Sequence, residues 1–394
     1  IALATLSILS VIPSVQYQLL DQRVRVQSDF RRLTQQFPNY DPSILLIYID
    51  SDYELDRKYL AKLIDHTAKI QPRIVGVDYL LYEGKPHEDQ ELAGSLLQAR
   101  NSSETLYIFL TSRKDGQRHW TLDQFAINQK WQGDSRIWRN GRYMTLLPLE
   151  DEDRPFPFSY LLALAHKTGE FELTSLHKIH PDHLTDKLFE RWMRPSPLTL
   201  ISYRLNQYWL HPIVDFSIPP EYIYSDISAE QFLQTEPQFI LTDSQPYPVV
   251  IIVPGGYDSA GINHKGEDNL PPPIQFCNPG IGIQTEMRNF CRTFVGGEVH
   301  AYLFHHFLKQ KPVIPIPDLW LLWLFALATK SIIIIMEPDQ LEKKETLVVV
   351  AGGTLVYGFV SLQLYISGSI LLPILIPVTI LWIYLFAHPN SKQI

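Results

Sequence analysis

Ile44-Leu45-Leu46-Ile47-Tyr48-Ile49, closed by Asp50-Ser51-Asp52, is the stretch that decides the fold. It has no alternation of apolar and polar residues. A strand of this kind is covered on both faces, as in a parallel sheet flanked by helices. The pattern repeats downstream. Residues 57–69 carry Leu60, Leu63 and Ile64 at helical spacing and stop at Pro72, and Ile74-Val75-Gly76-Val77 then ends at Asp78. Apolar strand, crossover helix and apolar strand make a βαβ unit. A helix over 88–100 and a strand over 106–110 extend it.

Further on the elements are more scattered. Residues 112–155 read as irregular strands and loops, 158–166 as a helix, and 167–198 as a charged connection. A strand is expected over 213–217, and a short helix over 228–234 with Ser228 as its N-cap. Val249-Val250-Ile251-Ile252-Val253 is a second strongly buried strand, ended by Pro254-Gly255-Gly256, and 297–308 reads as a helix. Before the first strand, 16–33 reads as an amphipathic helix with Leu20, Val24 and Leu33 on its apolar side and Arg23, Arg25, Arg31 and Arg32 on its polar side.

Only 19% of the 394 residues are charged, against roughly 25% in a typical soluble chain. The deficit is local. Thr346 to Ala387 contains no Asp, Glu, Lys or Arg, and this is about twice the ~20 residues that one membrane span needs. It divides at Ser367-Gly368-Ser369. Three C-terminal spans are therefore expected, at about 319–336, 346–365 and 370–387, the last kinked by Pro373 and Pro377. Ile1 to Ile12 is apolar and reads as the end of an incomplete N-terminal span over 1–15, with a signal-peptide core as the alternative. The resulting layout is a transmembrane helix at 1–15, a soluble α/β domain at 16–312, three transmembrane helices within 313–388 and a tail at 389–394. Lys343 and Lys344 in the loop between the second and third spans, and Lys392 in the tail, favour cytoplasmic placement of both, which puts the domain outside; Lys309 and Lys311 count against it.

The formal charge is −8 with no basic stripe, which argues against a nucleic-acid partner. Asp50, Asp52 and Asp78 stand at strand ends, where open α/β sheets bind ligands. Carboxylates there could hold Mg²⁺ or Ca²⁺ or a cationic ligand; equally, each could cap a turn or pair with Arg57 or Arg73. Gly255-Gly256 could form a phosphate-cradling turn or a plain one, and Asp258, Glu267 and Asp268 nearby disfavour an anion. Glu298, His300, His305 and His306 form no recognised metal motif, and Pro181 interrupts His177, His180 and His183. Cys277 and Cys291 could pair in an oxidising compartment. No cofactor motif and no nucleophile elbow, kinase or cyclase signature is present, so no enzyme activity is expected.

The ordered set Ile47-Tyr48-Ile49-Asp50, Ile74-Val75-Gly76-Val77-Asp78, Ile213-Val214-Asp215-Phe216, Val250-Ile251-Ile252-Val253-Pro254-Gly255-Gly256 and Gly297-Glu298-Val299-His300-Ala301 resembles the CHASE-2 domain, the type-2 extracellular sensory domain associated with cyclases and histidine kinases. The resemblance covers about 16–390 and is strongest to cyanobacterial members. It implies one span, an extracytoplasmic α/β domain, then three spans in an inner, plasma or thylakoid membrane, with the domain in the periplasm or lumen. Tyr53-Glu54-Leu55-Asp56-Arg57 stands where the family commonly has a Trp-Pro-Trp-type segment, and no output domain is read in the sequence. The expected function is a sensory or binding protein that passes a signal through its helices to a separate partner protein. The alternative is a non-catalytic structural or assembly subunit of a larger membrane complex. Lipid, signalling partners and a second copy of the chain are the expected partners.

Overall fold

The computed structural model describes residues 11–34, 43–53, 56–103, 105–114, 117–125, 131–137, 139–140, 143–144, 156–168, 196–237, 240, 247–260, 268–270, 294–309, 312–335 and 343–387. Helix α1 is Pro13–Leu33. Strand β1 is Ile44–Ile49, helix α2 Arg57–Ile70, strand β2 Ile74–Val77 and helix α3 Pro86–Ser102. Strand β3, Leu106–Lys114, runs past its expected end and pairs antiparallel with β4, Gln117–His119. Strand β5 is Gln132–Asp134, and Arg139–Asn140 (β6) and Tyr143–Met144 (β7) form a small hairpin. Helix α4, Phe158–Lys167, helix α5, Pro197–Arg204, strand β8, Ser225–Ser228, helix α6, Ala229–Gln234, and strand β9, Val249–Pro254, follow. Short strands Asn269–Leu270 (β10) and Phe294–Val295 (β11) pair before helix α7, Gly296–Lys309.

The sheet order is β5-β3-β2-β9-β1-β8, and all six strands are parallel. Alternate residues feed two separate cores. Ile44, Leu46, Ile74, Ile108, Ile251 and Val253 pack against α4 and α7. Leu45, Ile47, Val75, Val77, Phe109 and Ile252 pack against α2, α3 and α6. Both faces are thus covered, as the unbroken apolar runs required. Each fully buried large aliphatic or aromatic side chain contributes about 1.5–3 kcal/mol.

Helix α2 starts at Asp56, whose Oδ1 accepts from the backbone N–H groups of Lys58 (2.9 Å) and Tyr59 (3.1 Å). Ser228 caps α6 as expected, accepting from Gln231 N–H at 3.2 Å. Residues 213–217 do not form the expected strand. Only a bridge between Ile213 and Val313 exists there, because Asp215 is held by side chains from several elements.

After α7, Ile314–Pro315 (β12) leads into helix α8, Asp318–Ile335, and helix α9 is Lys343–Gly368. Ile370–Leu371 (β13) pairs in parallel with β12, and helix α10 is Leu375–Ala387. The helix expected from 370 therefore begins later. Ile370 and Leu371 are strand, and Pro377 falls in the first helical turn, where no N–H partner is required, so it does not kink the helix. Among the described residues one helix, Leu347–Gly368, is long and apolar enough to cross a membrane; Asp318–Leu327 is a shorter apolar helix, and α10 has 13 residues.

Candidate functional site

The carboxyl edge of the sheet gathers most of the acidic residues singled out above, in two separate places. Asp50 and Asp52 are exposed, Asp52 within the turn Ser51–Tyr53. Asp50 lies beside Gly255, whose N–H donates to Ile49 O at 2.7 Å. A Cβ on Gly255 would sit 2.6 Å from Ile49 O and 3.5 Å from Asp50 Oδ1. Gly256 has φ +76°, and a Cβ there would meet Val295 at 2.6 Å. The two glycines let the chain turn tightly off β9 against the β1 end.

Asp78 is elsewhere. Strand β9 lies between β1 and β2, and two strand spacings separate Asp50 from Asp78 by about 10 Å. The two carboxylates therefore do not converge on one small cation. Neither pairs with Arg57, which binds Asp89 and Glu83 O. Asp78 is buried. Its Oδ1 is 3.9 Å from His300 Nε2 on α7, and His300 Nδ1 is 2.7 Å from Ser159 Oγ on α4. Asp78 Oδ2 has no hydrogen-bond partner among the described residues. Burial, then repulsion from Asp268, raises the Asp78 carboxyl well above its ordinary value, while burial pushes Asp268 to about 6 and His300 down to about 3. Ser159, His300 and Asp78 have the residue types of a hydrolytic triad. However, the hydroxyl meets Nδ1 and the carboxylate Nε2, and Ser159 is 0% exposed, so no substrate reaches it. The cluster is a low-charge polar core.

A second network lies where α1, α7 and α9 meet. Arg31 donates to Asp215 Oδ2 at 2.6 Å and to Ser217 Oγ at 3.2 Å. Tyr365 of α9 donates to Asp215 Oδ1 at 2.8 Å and lies 3.0 Å from Ser217 Oγ. Ser217 N–H donates to the same Oδ1 at 2.9 Å, and Asp215 N–H donates to His306 Nε2 at 2.8 Å. His306 Nε2 therefore carries no proton. Burial works to raise the Asp215 carboxyl, but Arg31 and the hydrogen bonds from Ser217 outweigh it and hold it below its ordinary value. Along α1, Arg23 pairs with Asp318 at the start of α8 and donates to Ile316 O at 3.1 Å, and Gln27 donates to Ser361 Oγ of α9 at 3.2 Å. Leu20, Val24, Ile213, Val313, Tyr365 and Leu371 form an apolar cluster beneath these pairs.

The model of the CHASE2 domain matches residues 1–335 of this sequence. The chain belongs to the CHASE2 domain family. No curated protein and no solved structure matches it. CHASE2 domains are extracellular sensory domains and are generally non-catalytic. In this CHASE2 chain the matched span ends before α9, so the Arg31–Asp215–Tyr365 network ties the family region to the long apolar helix outside it.

Sequence reading missed this network. It set Arg23 and Arg31 on a polar side apart from Leu20 and Val24, yet both are buried in ion pairs. A signal did exist: Gln16, Arg23, Gln27 and Arg31 recur at helical spacing on the side that carries Leu20 and Val24. Glu298 and the α7 histidines are buried as packing and hydrogen-bonding groups. Glu298 accepts from Tyr224 and from Val295 N–H (3.1 Å). Among the described residues no group of three His, Cys, Asp or Glu could hold a metal. Cys277, Cys291, His177, His180 and His183 lie outside the described residues.

Proposed function

We propose that this CHASE2 protein is a membrane-anchored extracytoplasmic sensor. On this reading the N-terminal segment before α1 and the three C-terminal helices α8, α9 and α10 are spans, the domain faces the periplasm or lumen, and the signal passes to a separate partner protein. A ligand or partner engages the carboxyl edge of the sheet near Asp50, Asp52, Gly255 and Gly256. Asp78 then acts from the polar core behind that edge. The observation that carries the reading is the Asp215 carboxylate, which binds Arg31 of α1 and Tyr365 of α9 together. A shift of the domain against this carboxylate biases the two helices between alternative arrangements.

The test joins a kinase or cyclase catalytic domain to the cytoplasmic end of α10 and compares wild type with Arg31→Met at equal membrane levels. A change in output of several-fold is expected. Equal output from both chains would count against signal passage. A structural-subunit reading is favoured by the open space around Gly352, Gly353 and Gly358 on α9, where close helix packing is possible. Stoichiometric recovery in one fixed complex from native membranes would make that reading the leading one.

A further inference from the structure

Helix α5 has its polarity turned inside out. Thr199 and Ser202 face the protein at 5% and 0% exposure, while Leu198, Ile201 and Leu205 stand at 50%, 47% and 59%. The buried hydroxyls are satisfied. Thr199 Oγ1 donates to Leu210 O at 3.0 Å, and Ser202 Oγ donates to Trp209 O and lies 3.1 Å from His211 Nε2. The helix is thus fixed in this orientation by hydrogen bonds, and its apolar residues are held outward. In water such an arrangement leaves three large aliphatic side chains about half exposed to solvent.

The position of α5 says what covers that face. Its C-terminal turn runs into Gln207 and Tyr208, which bind Gln16: the Gln16 amide donates to Gln207 Oε1, and Tyr208 N–H donates to Gln16 Oε1 at 3.0 Å. Gln16 lies one helical turn after the exposed Val11 and Ile12, its N–H donating to Ile12 O at 3.0 Å. On the other side, Leu210 N–H donates to Pro315 O at 2.8 Å, just before α8, where Trp320 and Trp323 are 48% and 50% exposed. The apolar face of α5 is therefore tied to the two points at which the chain passes from the domain into its apolar segments. Exposed Arg204 in its last turn supplies a cation for phosphate headgroups. Short amphipathic helices of this kind lie in the membrane plane with the apolar face about 5–10 Å deep, level with interfacial tryptophans.

We propose that α5 and the residue that follows it form an interfacial anchor whose Leu198, Ile201 and Leu205 enter the headgroup–acyl boundary of the bilayer that receives the spans. This rests on the membrane-anchored reading above. It fixes the domain on the membrane surface at a third point besides α1 and α8.

The test uses the full chain with Cys277→Ser and Cys291→Ser, reconstituted in phosphatidylcholine–phosphatidylglycerol vesicles. A polarity-sensitive fluorophore is attached at Ile201→Cys, at Val356→Cys on α9, or at Leu97→Cys on α3. The expected result is quenching at 201 by lipids carrying a shallow doxyl group, quenching at 356 by a deep doxyl group, and little at 97. Quenching at 356 but not at 201 would overturn the α5 proposal and leave the anchoring intact. Absence of quenching at 356 would overturn the anchoring and the proposal with it. A blue shift at 201 without lipid quenching would mean that protein covers the helix, and would also overturn it. Should the serine background fail to fold, benzoylphenylalanine at position 201 in the chain with both cysteines reads the same contact. Lipid adducts are expected there, and protein adducts alone would refute it.

Discussion

Asp215→Asn is the most informative single change in this protein. The carboxylate is 5% exposed and the Arg31 side chain 9%, so solvent screens the pair little. Removing its charge leaves a buried guanidinium without its counter-ion, which costs about 3–5 kcal/mol. An asparagine oxygen still accepts from Tyr365 or Ser217 N–H, so the neutral hydrogen bonds are the smaller part of the loss. For a domain of this size each kcal/mol lowers Tm by about 2–4 °C, and the expected drop is about 6–20 °C in detergent, followed by circular dichroism. The double variant Arg31→Met/Asp215→Leu should recover a large part of it, because replacing both buried charges by apolar groups is often close to neutral. The pH dependence has a fixed sign. The folded Asp215 carboxyl lies below its ordinary value, so its stabilisation is present above the unfolded pKa of about 3.9 and is lost as pH falls through the folded value. A drop in Tm within about 2 °C for Asp215→Asn, or no recovery in the double variant, would refute a buried pair at this junction.

Asp78 and Asp268 have the opposite sign. Both carboxyls are raised on folding, so their contribution is fullest below the unfolded pKa of about 3.9 and is lost as pH rises toward the folded values. Asp78→Asn should therefore raise Tm at pH 7 and leave it nearly unchanged near pH 3.5; a lower Tm at pH 7 would contradict an unpartnered buried carboxyl. Gly255→Ala should cost about 1–3 kcal/mol by overpacking against Ile49 O, and Gly256→Ala about 1–2 kcal/mol through its left-handed backbone. Thermal unfolding indistinguishable from wild type would remove the tight turn from the description. Asp56→Ala should cost about 1 kcal/mol as a lost N-cap, read as a lower denaturant midpoint with unchanged slope.

The central strands were legible because burial on both faces demands unbroken apolar runs, and β1 and β2 match their expected residues while β9 runs one residue further. Strand β8 was not, since Ser225-Asp226-Ile227-Ser228 is an edge strand with one face wet and carries no such run. Helix α5 escaped for the reason that makes it interesting: periodicity assumes apolar residues point inward, and Leu198 and Ile201 point outward. The site was legible as positions, not as partnerships. Asp50, Asp78 and the glycine pair do stand at strand ends, but only the insertion of β9 between β1 and β2 reveals that the two aspartates serve different places. Arg23 and Arg31 were misread because their carboxylates lie 295 and 184 residues away, beyond any local pattern.

The buried side of α1 mixes polar groups with Leu20 and Val24. Gln16, Arg23, Gln27 and Arg31 take their partners from the segment around Gln207, the start of α8, the end of α9 and the Asp215 turn. Because the four contacts sit on one side of the helix, turning it about its axis would strain all of them together. The helix is therefore latched at four places along its length, so any rotation of it would be registered at once by the segment around Gln207, by α8, by α9 and by the Asp215 turn.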